Sequence, residues 1–248
     1  MKSRLLAAGL HLLMSAGIAA AAWALVFLFW YPQPLAKLVG GLDLFLLLVG
    51  VDLVLGPALT LVVASPRKPR RELLRDISVI VFIQTAAGIY GLHAMSLARP
   101  VAVVFEIDQF RVVSASDIDA QRLADIPKSL GGLSWTGPRL LAAQKPSGDE
   151  QLRTIEIELA GTPLAALPRH WRNYEEFTGL AWERASPIAK LLSQQPNLKR
   201  EIDKIASRAQ VDPASLRVLP LLARRAEGTV LLAPGGGVAG MLAATPPQ

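Results

Sequence analysis

Three long apolar segments occupy the first hundred residues and constrain the fold more than any other feature of the chain. A helix rises about 1.5 Å per residue and the hydrocarbon core of a bilayer is about 30 Å thick, so about 20 apolar residues cross it. The segments at about 5–30, 38–64 and 77–98 are long enough, and the third contains no Asp, Glu, Lys or Arg. We therefore predict a three-helix transmembrane domain over residues 1–99.

The distribution of cations predicts the orientation of these spans. Lys2 and Arg4 precede the first span, and five cations lie in the link 65–76 between the second and third, whereas Lys37 is the one cation between the first and second. Because Lys and Arg beside a span are retained in the cytoplasm, we place the N-terminus and this link inside. Everything after Ala98 is then outside, which in a bacterium means a multi-pass inner-membrane protein with a periplasmic domain.

The alanines at 19–22 also allow a signal-peptide interpretation of the first span, since they could contain a cleavage site. The apolar run continues through Trp30 and is longer than a typical signal sequence. We expect the segment to remain as a membrane anchor.

Residues 100–248 have the composition of a water-soluble domain, although 52% of the whole chain is hydrophobic and 19% is charged. Alternating apolar residues predict strands and helical periodicity predicts helices, separated by Gly- and Pro-containing turns. Together they indicate an α+β domain with an antiparallel sheet. The predicted strands are 101–108, 110–113, 216–222, 229–233 and 238–242, and the predicted helices are 116–124, 187–194 and 197–209.

The segment 149–160 fits two structures. Ile155, Ile157 and Leu159 alternate as in a strand, whereas Leu152, Ile155 and Leu159 would line one face of a helix. Possible caps at Ser147 and Asp149 favour the helix.

Charge and cysteine content exclude several functions. The net charge of +6 suggests nucleic acid, but residues 77–248 hold eighteen Lys and Arg against sixteen Asp and Glu, so the soluble part is almost neutral. A protein that follows a phosphate backbone needs a sustained basic surface, and we expect no nucleic-acid binding. The absence of cysteine rules out disulfides and thiolate metal sites.

Asp52 is the sharpest local anomaly, because a carboxylate at the bilayer centre costs several kcal/mol unless it is partnered or protonated. Gly56 and Pro57 follow it, and Pro57 lacks a backbone donor and can kink the helix. One interpretation is a contact with the transmembrane helix of a partner, and another is a proton-carrying group. The structural interpretation is a neutral acid bonded to a carbonyl freed by the proline or to Ser15, Gln84 or Thr85.

Small residues recur at four-residue spacing within the spans, which lets helix backbones approach closely. Packing among the protein's own spans is the favoured interpretation, and docking of a foreign helix is the alternative. His11 and His93 lie near opposite membrane faces, so they cannot share a metal, and we expect each to be solvated at its interface. The small-residue pairs are Ala16 with Ala20, Gly17 with Ala21 and Ala87 with Gly91.

Trp135 lies in a loop marked by Gly131, Gly132, Gly137 and Pro138. An exposed Trp135 would be a binding residue for a partner, while the favoured interpretation places it in the core. Neither alternative involves a cofactor.

We expect no enzymatic activity. The acidic pairs in the soluble half lack a histidine, metal partners or the fixed spacing that acid–base chemistry uses, so we predict that they are solvated surface residues. His170 has no second ligand at helical or turn spacing. The acidic pairs are Glu106 with Asp108, Asp117 with Asp119, and Glu175 with Glu176.

Several strings in the first 120 residues, in order and in spacing, resemble the TfpX/TfpZ type IV pilin accessory proteins. The similarity continues more weakly through 167–171 and 212–217. The strings are Trp30-Tyr31-Pro32, Gly40-Gly41-Leu42-Asp43-Leu44-Phe45, residues 50–63 from Gly50-Val51-Asp52 to Gly56-Pro57, and residues 98–113 from Ala98-Arg99-Pro100 to Val113.

The resemblance implies a bacterial inner-membrane protein that serves as a pilin-specific chaperone or modulator of pilus assembly. The implied partner is the type IV major pilin, with its transmembrane helix in membrane lipid and its head in the periplasm. We hypothesise that the second and third spans, with Asp52, Gly56 and Pro57, cradle the pilin helix while residues 100–248, including Trp135, cap the head.

Two other classes of protein remain as alternatives. A small transporter or channel component could use Asp52 as an ion or proton site, although such pathways usually show several polar positions across their helices. A membrane sensor would need a cytoplasmic output domain, and the segments expected inside are short.

Overall fold

The computed structural model describes residues 2–63 and 68–247. Its first part contains three helices long and apolar enough to cross a membrane. They are α1 (Lys2–Ala24), which continues as a π-helical segment (Leu25–Trp30), α3 (Gly41–Val63) and α4 (Arg70–Ala98). The three predicted spans are therefore present as helices, while Ala64 and Arg67 lie outside the described residues.

A short helix, α2 (Leu35–Leu38), separates the first two long helices. We expected the second span to begin near Leu38, but it begins at Gly41. The reason is that Leu38 is buried in the core of the sheet domain. Gly40, with φ of 78°, then turns the chain into α3, a backbone angle that glycine adopts without a Cβ penalty.

The central long helix, α3, packs against both α1 and α4. The outer ends of the three helices meet in one apolar cluster, which includes Val26, Trp30, Phe45 and Met95. Tyr31 closes this cluster, since its buried hydroxyl donates a hydrogen bond to the carbonyl of Met95 at 2.8 Å. Burial raises the pKa of the Tyr31 phenol.

The second part is built on one mixed sheet in the order β4-β3-β1-β2-β6-β7-β8, with β5 paired to β6. Its strands are β1 (Pro100–Glu106), β2 (Gln109–Ser114), β3 (Arg139–Ala143), β4 (Trp171–Asn173), β5 (Ser186–Pro187), β6 (Arg217–Leu222), β7 (Glu227–Leu232) and β8 (Val238–Leu242).

The prediction of a purely antiparallel sheet is wrong. The β1–β2 hairpin and the β6–β7–β8 meander are antiparallel, but β3 runs parallel to β1 and β6 runs parallel to β2. The reason for the first parallel pair is that β2 ends beside the start of β1, and the long connection after it crosses to the other edge of β1 before β3 begins. Strand periodicity predicts which residues are extended but not which strands become neighbours.

The shorter helices are α5 (Asp149–Leu159), α6 (Thr178–Arg184), α7 (Ile188–Gln194) and α8 (Lys199–Ala209). The helix interpretation of 149–160 is therefore confirmed, and the two later helical predictions match α7 and α8. The helix predicted at 116–124 is absent; short 3-10 turns stand there (Ala115–Asp117 and Ala120–Asp125), interrupted by the extended Ile118. The strands β3 and β4 and the helix α6 were not predicted.

The loop before α3 forms part of the core of the sheet domain. Leu35 and Leu38 pack with Phe105, Phe110 and other buried residues of the sheet. The Leu38 carbonyl accepts hydrogen bonds from the backbone N–H groups of Arg225 and Ala226 at 3.1 and 3.2 Å. The division into residues 1–99 and 100–248 stays a prediction, but the two parts share this packing.

Candidate functional site

Asp52 and Gln84 face each other between α3 and α4. The Gln84 amide nitrogen Nε2 donates to Asp52 Oδ1 at 2.5 Å and to the Asp52 backbone carbonyl at 3.2 Å. Among the described residues, the Asp52 side chain makes no hydrogen bond to Ser15 or Thr85. The structure thus agrees with the structural interpretation, in which the acid holds two spans together, and it selects Gln84 as the partner.

Gly56 makes this contact possible. A Cβ atom built on Gly56 would lie 2.3 Å from Gln84 Nε2 and 2.8 Å from Gln84 Oε1, closer than real Cβ contacts come. The Gln84 side chain therefore occupies the space that a larger residue would take. Pro57 lies inside α3, which remains helical through it to Val63.

One acceptor in the pair is unsatisfied. Gln84 Oε1 is buried and has no hydrogen-bond partner among the described residues. A polar atom without a partner is costly in an apolar surrounding, so this carbonyl oxygen is a point to which a donor would add stability.

A second polar contact joins α1 to α3. His11 Nδ1 lies 2.7 Å from Thr60 Oγ1 in a hydrogen bond, and Thr60 is buried. His11 is half-buried, so its ring also bonds a hydroxyl on the neighbouring helix, a contact that the expectation of interfacial solvation did not include.

The small-residue pairs divide into two groups. Gly91 packs closely against Leu48 of α3, since a Cβ on Gly91 would lie 2.2 Å from Leu48 Cδ1. The other two pairs form a surface on α1 that the described residues leave uncovered, since none of their atoms lies within 4 Å of the Cβ position of Gly17. This surface, called the α1 small-residue face, consists of Ala16, Gly17, Ala20 and Ala21, all exposed.

Trp135 lies at the outer ends of the long helices and not in the core, so the core interpretation is wrong. It is 65% exposed. The guanidinium carbon of Arg99 stands 4.3 Å from the centre of its ring, a cation–π contact. Arg99 is the residue after α4, and its guanidinium also donates to the carbonyls of Ser96 and Ser134.

Arg99 itself is buried, and its Nε has no partner among the described residues. Burial lowers the pKa of Arg99. Its positive charge lies at the carboxyl end of a long helix, where the helix dipole favours a cation. The residue thereby caps α4 and supports Trp135.

Glu106 is buried, contrary to the prediction that the acidic pairs are all solvated. Its carboxylate accepts from Arg111 Nε at 2.6 Å and from the backbone N–H of Ala165 at 2.9 Å. These bonds fasten the turn Leu164–Ala166 to the end of β1. The role is structural, and no histidine or metal-binding partner is part of it.

The helix α5 presents its apolar face to solvent. The residues Leu152, Ile155 and Leu159 are exposed, Leu159 by 84%, whereas Thr154 on the other side is buried. The sequence predicted this apolar face correctly, and the structure shows that the domain leaves it uncovered. It is called the α5 apolar face below.

The predicted site residues form two groups. Asp52, Gly56 and Pro57 lie together in the middle of α3, while Trp135 lies at the outer end of the bundle. Sequence reasoning named Gln84 only as one of several possible partners of Asp52, and it did not single out Arg99. The sequence held signals for both residues: Gln84 is one of few polar residues in the third span, and Arg99 immediately follows that span.

Among the described residues, no group of three His, Cys, Asp or Glu side chains is placed to hold a metal ion. The fold and site thus define a class of protein with three helices apolar enough to cross a membrane and a mixed-sheet domain packed on their outer ends.

Comparison with known proteins gives the family. The family model described as fimbrial assembly protein FimB matches residues 1–40. Fimbrial assembly proteins of Dichelobacter nodosus are similar over most of the chain: that of serogroup I is 33% identical over 219 residues and that of serogroup E1 34% over 223, each alignment covering 88% of this chain and 85% of the relative.

The protein of serogroups C1 and C2 is 46% identical over 110 residues, which is 44% of this chain and 84% of that relative. No solved structure matches the chain significantly. The chain belongs to the family of fimbrial assembly proteins. These relatives are named as fimbrial assembly proteins, and none of the three carries the name TfpX or TfpZ.

Proposed function

We propose that this chain is an inner-membrane accessory protein of type IV pilus biogenesis that stabilises or presents the major pilin before assembly. The proposal rests on one observation: alignments that cover 88% of the chain relate it to proteins named for fimbrial assembly. The proposed role is that of a pilin-specific chaperone or modulator and is not catalytic.

The proposed location follows from the cations beside the spans. The N-terminus and the link between α3 and α4 are cytoplasmic, and the sheet domain is periplasmic. A pilin waiting in the membrane has an apolar helix in lipid and a folded head outside, so a protein that stabilises it needs surfaces in both environments.

The α1 small-residue face is the surface we propose for the pilin helix. Small residues let two helix backbones approach closely, which favours helix association inside a bilayer. Gly91 is already packed against Leu48, whereas Ala16, Gly17, Ala20 and Ala21 remain uncovered. In this proposal the pilin helix packs against the first span, and not in the cradle of the second and third spans that the sequence suggested.

The α5 apolar face is the surface we propose for the pilin head. The apolar residues of this helix face outward, so their surface is exposed to water. Exposed apolar surface of this kind marks a site where a protein partner binds. Contact of pilin with Asp52, Gly56, Pro57 or Trp135, which the sequence suggested, is the alternative arrangement.

The test is site-specific photocrosslinking in the native bacterium. A photoreactive amino acid replaces Ala20 on the α1 small-residue face or Leu159 on the α5 apolar face. Matched controls replace Phe82, an exposed apolar residue of α4, or Ser207, an exposed residue of α8.

Capture of the major pilin at Ala20 and Leu159 and not at the two controls is the expected result. Capture at one site only would assign the client to that half of the protein. No pilin at any position, together with normal piliation of a deletion strain, would contradict the proposed function and favour the transporter alternative.

A further inference from the structure

We propose that the loop 131–138 contacts the phospholipid headgroups at the outer surface of the membrane, with Trp135 as the interfacial residue. The proposal rests on the membrane location in the proposed function and does not depend on pilin. It assigns Trp135 to lipid rather than to a protein client.

The position of the loop supports this assignment. Gly137 lies against the first helix, with its Cβ position 3.5 Å from the Phe29 carbonyl oxygen and 3.8 Å from Pro32 Cγ. Arg99, stacked on Trp135, directly follows α4. The loop is thus held at the level where two membrane-spanning helices end, and Gly137 fits there with φ of 91°.

The chemistry of Trp135 fits the headgroup layer. Trp rings concentrate at membrane interfaces because one edge of the indole is polar and the rest is apolar. Most of the ring surface of Trp135 is not covered by the protein. When headgroups and upper acyl chains surround the ring at this height, its apolar surface is removed from water, and this favours contact with the membrane.

The charges around the loop also favour phosphate. Residues 126–148 contain no Asp or Glu and include Lys128, Arg139 and Lys145. Lys128 and Arg139, which flank the loop, are exposed. Cations near the surface of a bilayer are attracted to anionic lipids, so the segment combines an interfacial aromatic residue with positive charge.

The opposite end of the domain provides a control. The strand β1 starts at Pro100, directly after α4, and ends at Glu106, so the following hairpin turn lies about 20 Å along the strand from the end of α4. Asp108 in this turn is exposed. A label on Asp108 therefore reports an exposed site of the same domain that lies away from the end of α4 and from the loop 131–138.

The experiment uses the full chain in nanodiscs made of phosphatidylethanolamine and phosphatidylglycerol. Because the sequence has no cysteine, Thr136→Cys, Asp108→Cys and Leu55→Cys each give one labelling position for an environment-sensitive fluorophore. Thr136 is exposed and adjacent to Trp135, which stays intact. Quenching is compared between lipids that carry a nitroxide at the headgroup and lipids that carry it deep in the acyl chain.

The expected result is headgroup quenching at position 136 about threefold stronger than at position 108, with deep quenching strongest at position 55 in the middle of α3. Adding Trp135→Ser to the Thr136→Cys protein should lower the headgroup quenching. Adding Trp182→Ser, a tryptophan whose ring stacks on Arg217 and not on Arg99, should not.

Deep quenching at position 55 without headgroup quenching at position 136 would overturn the lipid contact while leaving the membrane location intact. Absence of quenching at all three positions would instead overturn the membrane location itself. A third outcome would also overturn the proposal. If headgroup nitroxides do not quench position 136, but co-reconstituted pilin shields the fluorophore there from water, a protein partner contacts this surface.

Discussion

Asp52 and Gln84 are the central residues of their helices, Gly41–Val63 and Arg70–Ala98, and they are hydrogen-bonded to each other. Two polar side chains therefore meet half-way along two apolar helices, where the neighbouring residues offer few other hydrogen-bond partners. Their bond fixes the register of α3 against α4, because sliding either helix by one turn would separate the two groups.

A double-mutant cycle tests this pair. Gln84→Leu should lower the stability of the detergent-solubilised protein by about 1 kcal/mol, because it leaves the Asp52 carboxyl without its donor. Asp52→Leu combined with Gln84→Leu should be closer to the original stability, since both polar groups are gone. A coupling of about 0.6–1.7 kcal/mol from thermal unfolding is expected, and additive effects of the two changes would contradict the pairing.

Gly56→Ala should destabilise the protein by about 1–2 kcal/mol, because the new Cβ displaces the Gln84 side chain from Asp52. Gly50→Ala is the matched control, since nothing lies within 4 Å of its Cβ position. That change should be neutral or slightly stabilising through helix propensity. In a Gln84→Ala background the cost of Gly56→Ala should disappear, and its persistence would show that another contact is responsible.

Glu106→Ala should lower the free energy of unfolding by about 2–4 kcal/mol, because it leaves the Ala165 N–H and the Arg111 guanidinium without their acceptor. Asp108→Ala, two residues away and exposed, should change it by less than about 0.5 kcal/mol. Equal effects of the two changes in thermal unfolding would mean that Glu106 is as solvated as its neighbour.

His170 should make the sheet domain sensitive to mild acid. It is buried beside Thr154, with Nε2 3.4 Å from the hydroxyl, and burial lowers its pKa below 6.5 despite the attraction of Glu150. The unfolded chain then takes up a proton at a pH where the folded protein does not, so stability is lost as the pH falls from about 6.5 toward the folded pKa.

Melting temperatures measured between about pH 7.5 and pH 5 should therefore decline toward acid. His170→Gln removes the titrating group and should flatten part of the decline. An unchanged slope in that variant would assign the acid sensitivity to other groups.

The sequence predicted most of the elements that depend on local pattern. The three long helices follow from apolar runs of membrane-spanning length, and α5, α7 and α8 follow from periodicity and capping. The last three strands and the first hairpin also lie within a few residues of their predicted positions. The short 3-10 turns at 115–125 were predicted as a helix because Ser116 and Asp117 resemble a cap, while Ser114 takes that place.

The candidate site was predictable only in part. Asp52 and Pro57 stand out in an apolar segment, so the sequence alone located the anomaly and named Gln84 among its possible partners. Only the packing of α3 on α4 selected Gln84, because the choice depends on the rotation of both helices about their axes.

By itself the sequence determined the three long apolar helices, the apolar face of α5 and the nearly neutral charge of residues 77–248, since each depends on which residues follow one another along the chain. The tertiary structure decided that the sheet is mixed, that Glu106 is buried and that Leu35 and Leu38 belong to the core of the sheet domain. It also decided that Trp135 is exposed beside Arg99. These outcomes depend on contacts between residues distant in sequence, which local periodicity does not record.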